Sequence, residues 1–78
     1  MRRGDVELRM SGRVGELVYR GLHEISAHVE VSGAGAYDFL VALDSISSPN
    51  RVLSAKEREE AIAAFKAWAK REGVRCEW

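Results

Sequence analysis

The chain reads as an α+β domain: a four-stranded antiparallel meander, one long C-terminal helix packed on one face, and a short fifth strand. Three observations predict this. Apolar and polar residues alternate in four successive runs ahead of Asp44, the pattern of half-buried strands. Glycine or serine separates those runs, as hairpin connections require. From Ser54 the apolar spacing changes to that of a helix and keeps it to Gly73.

The first run, Asp5 to Met10, points Val6, Leu8 and Met10 one way and Asp5, Glu7 and Arg9 the other. Ser11-Gly12 fits a two-residue turn, which pairs Met10 with Arg13, Leu8 with Gly15 and Val6 with Leu17. Leu17 and Tyr19 then share the inner face of the second strand. Gly21 to His23 is read as a three-residue loop, because a shift of one residue would turn every following side chain to the wrong face. Ile25, Ala27, Val29 and Val31 point inward along the third strand, Glu24 to Val31. Gly33-Ala34-Gly35 makes the next turn, and the fourth strand carries Tyr37, Phe39, Val41 and Leu43 inward with Asp38, Leu40, Ala42 and Asp44 outward. Asp44 to Leu53, rich in serine with Pro49 and Asn50, is expected to be a loop.

The helix is the most strongly signalled element. Ser54 is a good N-cap, and Glu57 three residues on completes a capping box. Ala61, Ile62, Phe65, Trp68 and Ala69 form the apolar side, and Lys56, Glu59, Lys66, Lys70 and Arg71 the polar one. Acids lie early and bases late, complementing the helix dipole, and Gly73 is the stop. Val74 to Trp78 alternates again, with Val74, Cys76 and Trp78 on one side; it could pair beside the first strand or the fourth.

Seventy-eight residues make a single domain with a thin core, since a chain of this size buries roughly 60% of its unfolded surface. Twelve basic and twelve acidic residues give a formal net charge of zero, which argues against a nucleic-acid partner that needs a basic excess. The one cysteine, Cys76, excludes an internal disulfide and a multi-thiolate metal site. No apolar run reaches the length of a membrane span, and Met1-Arg2-Arg3-Gly4 leads into no signal-peptide core. A cytoplasmic location without a membrane partner is expected. Neither a nucleophile elbow nor a phosphate-cradling loop is present, so the chain reads as noncatalytic and cofactor-free.

The charge layout carries the functional expectation. Strand parity places Asp5, Glu7, Glu16, Glu24, Glu30, Asp38, Asp44 and Glu77 on the sheet face away from the helix, against Arg9, Arg20 and Arg75. The registers above oppose Glu7 to Glu16, Glu30 to Asp38, and Glu24 to Asp44. Like charges across a ladder disfavour pairing. Either a register slip or diagonal compensation by Arg9 and Arg20 relieves them, or the face meets a basic protein. Val18, Leu40 and Ala42 form a small apolar centre within that rim, the anatomy of a protein–protein patch. His28, beside Glu30 and opposite Glu16, completes the partner surface. The rival readings are a homodimer using this face or an open strand edge, and a small metal-dependent enzyme around His28, Glu16, Glu30 and Asp38.

Three stretches resemble one family. They are Arg3-Gly4-Asp5 running into a charged hairpin, Tyr37-Asp38-Phe39-Leu40-Val41-Ala42-Leu43-Asp44-Ser45-Ile46, and the capped helix, glycine and closing strand from Leu53 to Trp78. Together they are similar to the small immunity proteins of bacterial polymorphic toxin systems, the class numbered seventy-four. The resemblance implies a noncatalytic cytoplasmic protein that neutralises a cognate toxin by binding it, and the acidic face would suit a basic toxin. Asp44 and Ser45 are the positions it carries over as partner contacts.

Overall fold

The computed structural model describes residues 5–21, 23–33, 35–49 and 51–78. The Arg3-Gly4 part of the resemblance and the tip residue Ala34 lie outside them. Five strands and a helix follow in the order β1 (Asp5–Ser11), β2 (Val14–Arg20), β3 (Glu24–Val31), β4 (Phe39–Ser47), α1 (Ala55–Glu72) and β5 (Cys76–Glu77). The strands lie in one sheet in that same order. β1 to β4 form the antiparallel meander, and β5 joins parallel to β4, pairing Phe39 with Cys76 and Leu40 with Glu77. The choice left open between the first and fourth strands is thus settled for the fourth. No helix among the described residues is long and apolar enough to cross a membrane.

One face of the sheet packs on α1. Leu17, Ile25, Ala27, Val29, Val41 and Ile46 meet Ala61, Phe65, Trp68 and Ala69 in a single core. Val6, Leu8, Met10, Phe39, Leu43, Val74, Cys76 and Trp78 pack around it, as strand parity predicts. Burial pushes the Cys76 thiol above its ordinary pKa, and the negative charge of Asp38 adds to the effect. This thiol is a packed apolar group rather than an activated one. The helix is capped as its sequence requires. Ser54 Oγ accepts the Glu57 N–H at 3.1 Å, and the Glu57 carboxylate accepts the Ser54 N–H at 2.9 Å. Gly73 closes the helix with φ 72°, a left-handed conformation that glycine adopts without steric cost.

The register differs from expectation between β1 and β2 and between β3 and β4. The first turn is Gly12-Arg13, with Ser11 opposite Val14 and Gly12 at φ 70°, the positive first position of a primed hairpin turn. Leu8 consequently faces Leu17, and Glu16 faces Arg9 rather than Glu7. The slip is an even number of residues, so every side chain keeps its face. What changes is the charge pairing, which exchanges two opposed acids for an acid and a base.

β4 departs further. It starts at Phe39, so Glu30 faces Leu40 and not Asp38. It also runs on through Ser47, where a loop was expected. Only Ala27 separates Ser26 from His28 on β3, whereas Leu43 to Ile46 separate their partners Ala42 and Ser47. This wide bulge removes the expected pairing of Glu24 with Asp44. It also delivers Ile46, 7% exposed, into the core. The loop reading failed because serine and aspartate favour turns, and a bulge can accept both.

Candidate functional site

Among the described residues, nothing forms a second layer on the face away from α1. Its rows can be read from the register: Glu7–Val18–Ser26–Ser47 across four strands, then Arg9–Glu16–His28–Ala42, then Ser11–Val14–Glu30–Leu40, with Glu77 beside Leu40. Every expected partner residue except Asp38, Asp44 and Ser45 lies in these rows or, for Glu24, beside them opposite Arg20.

Arginines compensate the acids at the β1–β2 end. Arg9 lies 3.6 Å from Glu7 and 3.8 Å from Glu16, and Arg20 pairs with the same Glu7 carboxylate. The Arg20 hydrogen bond, reinforced by the charges of Arg20 and Arg9, holds Glu7 below the usual carboxylate pKa. The three opposed acid pairs do not form; the register slip removes the first of them by setting Arg9 opposite Glu16, and Arg20 reaches Glu7 diagonally. Val18 also departs from its expected role. It is 0% exposed, ringed in the register by Glu7, Glu16, Arg20 and Ser26. Long charged side chains cover apolar neighbours with their alkyl stems, and no partner reaches Val18 on this surface.

Asp38 serves the fold. Its carboxylate accepts the Arg75 backbone N–H at 2.9 Å and faces the Arg75 guanidinium at 3.4 Å. The Asp38 N–H donates to the Arg75 carbonyl at 2.7 Å, and the Asp38 carbonyl accepts the Ser32 N–H at 3.0 Å. The Arg75 N–H, followed by its side chain, depresses the Asp38 pKa. The residue thereby staples the β3–β4 connection to the entry of β5, far from His28 in the sheet. Ser45 is equally structural. Its Oγ accepts the His28 N–H at 2.8 Å and donates to the Ala42 carbonyl at 2.6 Å. His28 and Ala42 are register partners, so the hydroxyl bridges the two backbone groups where the bulge parts the strands. Asp44 stays exposed on that bulge.

The apolar surface that remains open to a partner is compact. Val14 and Leu40 are 44% and 38% exposed on either side of Glu30. Next to them an open groove of about 510 Å³ is lined by residues including Arg9, Val14, Glu16, Ser26, His28 and Ser45. His28 Nε2 lies 3.3 Å from the Glu30 carboxylate. Among the described residues, Glu24, Asp44 and Glu77 have no ion-pair partner. No group of three or more His, Cys, Asp or Glu among the described residues could hold a metal ion. The groove was not legible in the sequence, because the β3–β4 bulge that walls it depends on pairing between distant strands.

Compared with known proteins, the chain matches no family model, no curated protein and no solved structure.

Proposed function

We propose that this protein is a noncatalytic binding module that presents the helix-free face of its sheet to a basic protein. The observation that carries the reading is the exposed apolar pair Val14 and Leu40 flanking Glu30, beside the groove and next to the unpaired carboxylate of Glu77. An apolar centre holds a complex, and uncompensated charge around it steers association and selects the partner. The surface is smaller than strand parity alone suggests. Val14, Glu24, His28, Glu30, Leu40, Ala42, Asp44 and Glu77 contribute to it, whereas Val18, Asp38 and Ser45 support the fold beneath it.

The resemblance to toxin-neutralising immunity proteins names one basic partner of this kind, a cognate toxin domain met in the cytoplasm. Copurification from the native cell, followed by binding of the identified protein in purified form, tests the reading. Glu30→Lys should slow association several-fold and flatten its salt dependence. Leu40→Ala should instead speed dissociation. Both variants should melt close to the parent, since surface substitutions usually shift stability by less than about 0.5 kcal/mol. A purified partner that binds both variants as it binds the parent chain would sink the proposal.

A further inference from the structure

β1 is the outer strand of the sheet, and among the described residues no strand pairs with its far side. Seven residues long, it carries no proline and no bulge, two of the devices that blunt an edge, and its charged residues are of both signs. Its free backbone groups can be assigned. The Val31 N–H bonds to the Arg13 carbonyl at 2.8 Å, so the odd-numbered residues of β2 turn their backbone groups to β3. The even-numbered ones therefore turn to β1, where Val14, Glu16, Val18 and Arg20 meet Ser11, Arg9, Glu7 and Asp5. Hydrogen-bonding direction alternates along an antiparallel strand. This leaves the N–H and C=O of Val6, Leu8 and Met10 directed at the open edge. The side chains of these same three residues are half-buried against the core, leaving apolar surface uncovered at the rim.

The strand is self-complementary in one antiparallel register. With a twofold axis at Leu8, Leu8 faces its own copy, Val6 faces Met10, and Glu7 faces Arg9 twice. All three open backbone positions then exchange bonds, giving about six across the interface. Glu7 and Arg9 fall in the closer, non-hydrogen-bonded pairs, where opposite charges stabilise a ladder. Axes at Glu7 or Arg9 oppose like charges, an axis at Val6 opposes Asp5 to Glu7, and one at Met10 loses most of the overlap. We propose that two copies of this chain associate edge to edge through β1 in the Leu8-centred register, forming a continuous ten-stranded sheet with a helix on each half. The contact uses neither Leu40 nor Glu30 and stands apart from the partner face.

Sedimentation across a concentration series tests the assembly. The parent chain should show a monomer–dimer equilibrium. Glu7→Arg and Arg9→Glu, which each turn two attractive pairs into repulsive ones, should each weaken it by about tenfold or more. Mixing the two variants in equal amounts sets opposite charges across both pairs again and should restore the dimer. A second readout needs no substitution and so survives a variant that fails to fold. Backbone amides of Val6, Leu8 and Met10 should exchange about tenfold more slowly when the chain is concentrated enough to be nine-tenths dimer. Those of Glu7 and Arg9, bonded to β2, should be unaffected by dilution. A parent chain that stays monomeric, a dimer indifferent to both variants, a mixture of folded variants that does not reassociate, or exchange at Val6, Leu8 and Met10 independent of concentration would each overturn the proposal.

Discussion

Helix α1 and strand β4 are both central to this domain, and they are held in opposite ways. The helix is defined by neighbours in sequence: Ser54 and Glu57 cap each other across three residues, and Gly73 ends the last turn. β4 is defined by residues far along the chain. Its bulge is bridged through Ser45 to His28, its end through Ser48 Oγ to the Glu24 carbonyl at 2.6 Å, and its start through Asp38 to Arg75. The same residue types, serine and a carboxylate, act in both places. Where the partner is local the role can be read in advance, and where it is distant it cannot. Asp38 and Ser45 were expected as partner contacts, and their bonds within the fold came into view once the places of His28, Ala42 and Arg75 were known.

The largest expected effect tests what the two elements share. Phe65, fully buried in a core shared with residues of β2, β3 and β4, should cost about 3–5 kcal/mol as Phe65→Ala, enough to unfold a domain of this size. A denaturation midpoint near the parent's would show that local capping rather than packing holds the helix. Next, Ser45→Ala should destabilise by about 1 kcal/mol, because it parts the His28 N–H from the Ala42 carbonyl. That is the cost expected of Ser54→Ala at the helix cap, so a local and a distant serine should weigh alike. A neutral Ser45→Ala would mean that water replaces the bridge and that the bulge holds without it.

The smallest effect concerns pH. Asp38 and Glu57 are both depressed from their ordinary values of 3.8 and 4.5, each chiefly by a backbone N–H, from Arg75 and Ser54 respectively. A carboxyl whose folded pKa lies below its unfolded one adds stability above the unfolded value and loses it as pH falls through the folded one. Thermal midpoints should therefore hold steady down to the ordinary carboxylate range and decline below it. Asp38→Asn should shrink the part of that decline belonging to β4, whereas Glu57→Gln should shrink the part belonging to the helix. A midpoint that rises on acidification would contradict both assignments.

The residues by themselves determined the fold class, the face of almost every strand residue, and the helix with its cap and stop. Strand parity and helical periodicity are short-range properties, and an even slip in register leaves them unchanged; that is why Leu17, Ile25, Val29 and Phe65 were placed in the core correctly although the first hairpin turns one residue later than expected. The tertiary structure decided which charges meet. It set Glu16 against Arg9, gave Asp38 to Arg75, withdrew Val18 from the surface, inserted a bulge where serines suggested a loop, and seated β5 beside β4. Each of these depends on the energy of contacts between segments far apart in the chain, where a two-residue slip costs little in burial and is chosen by ion pairs and bridging hydroxyls that no local pattern encodes.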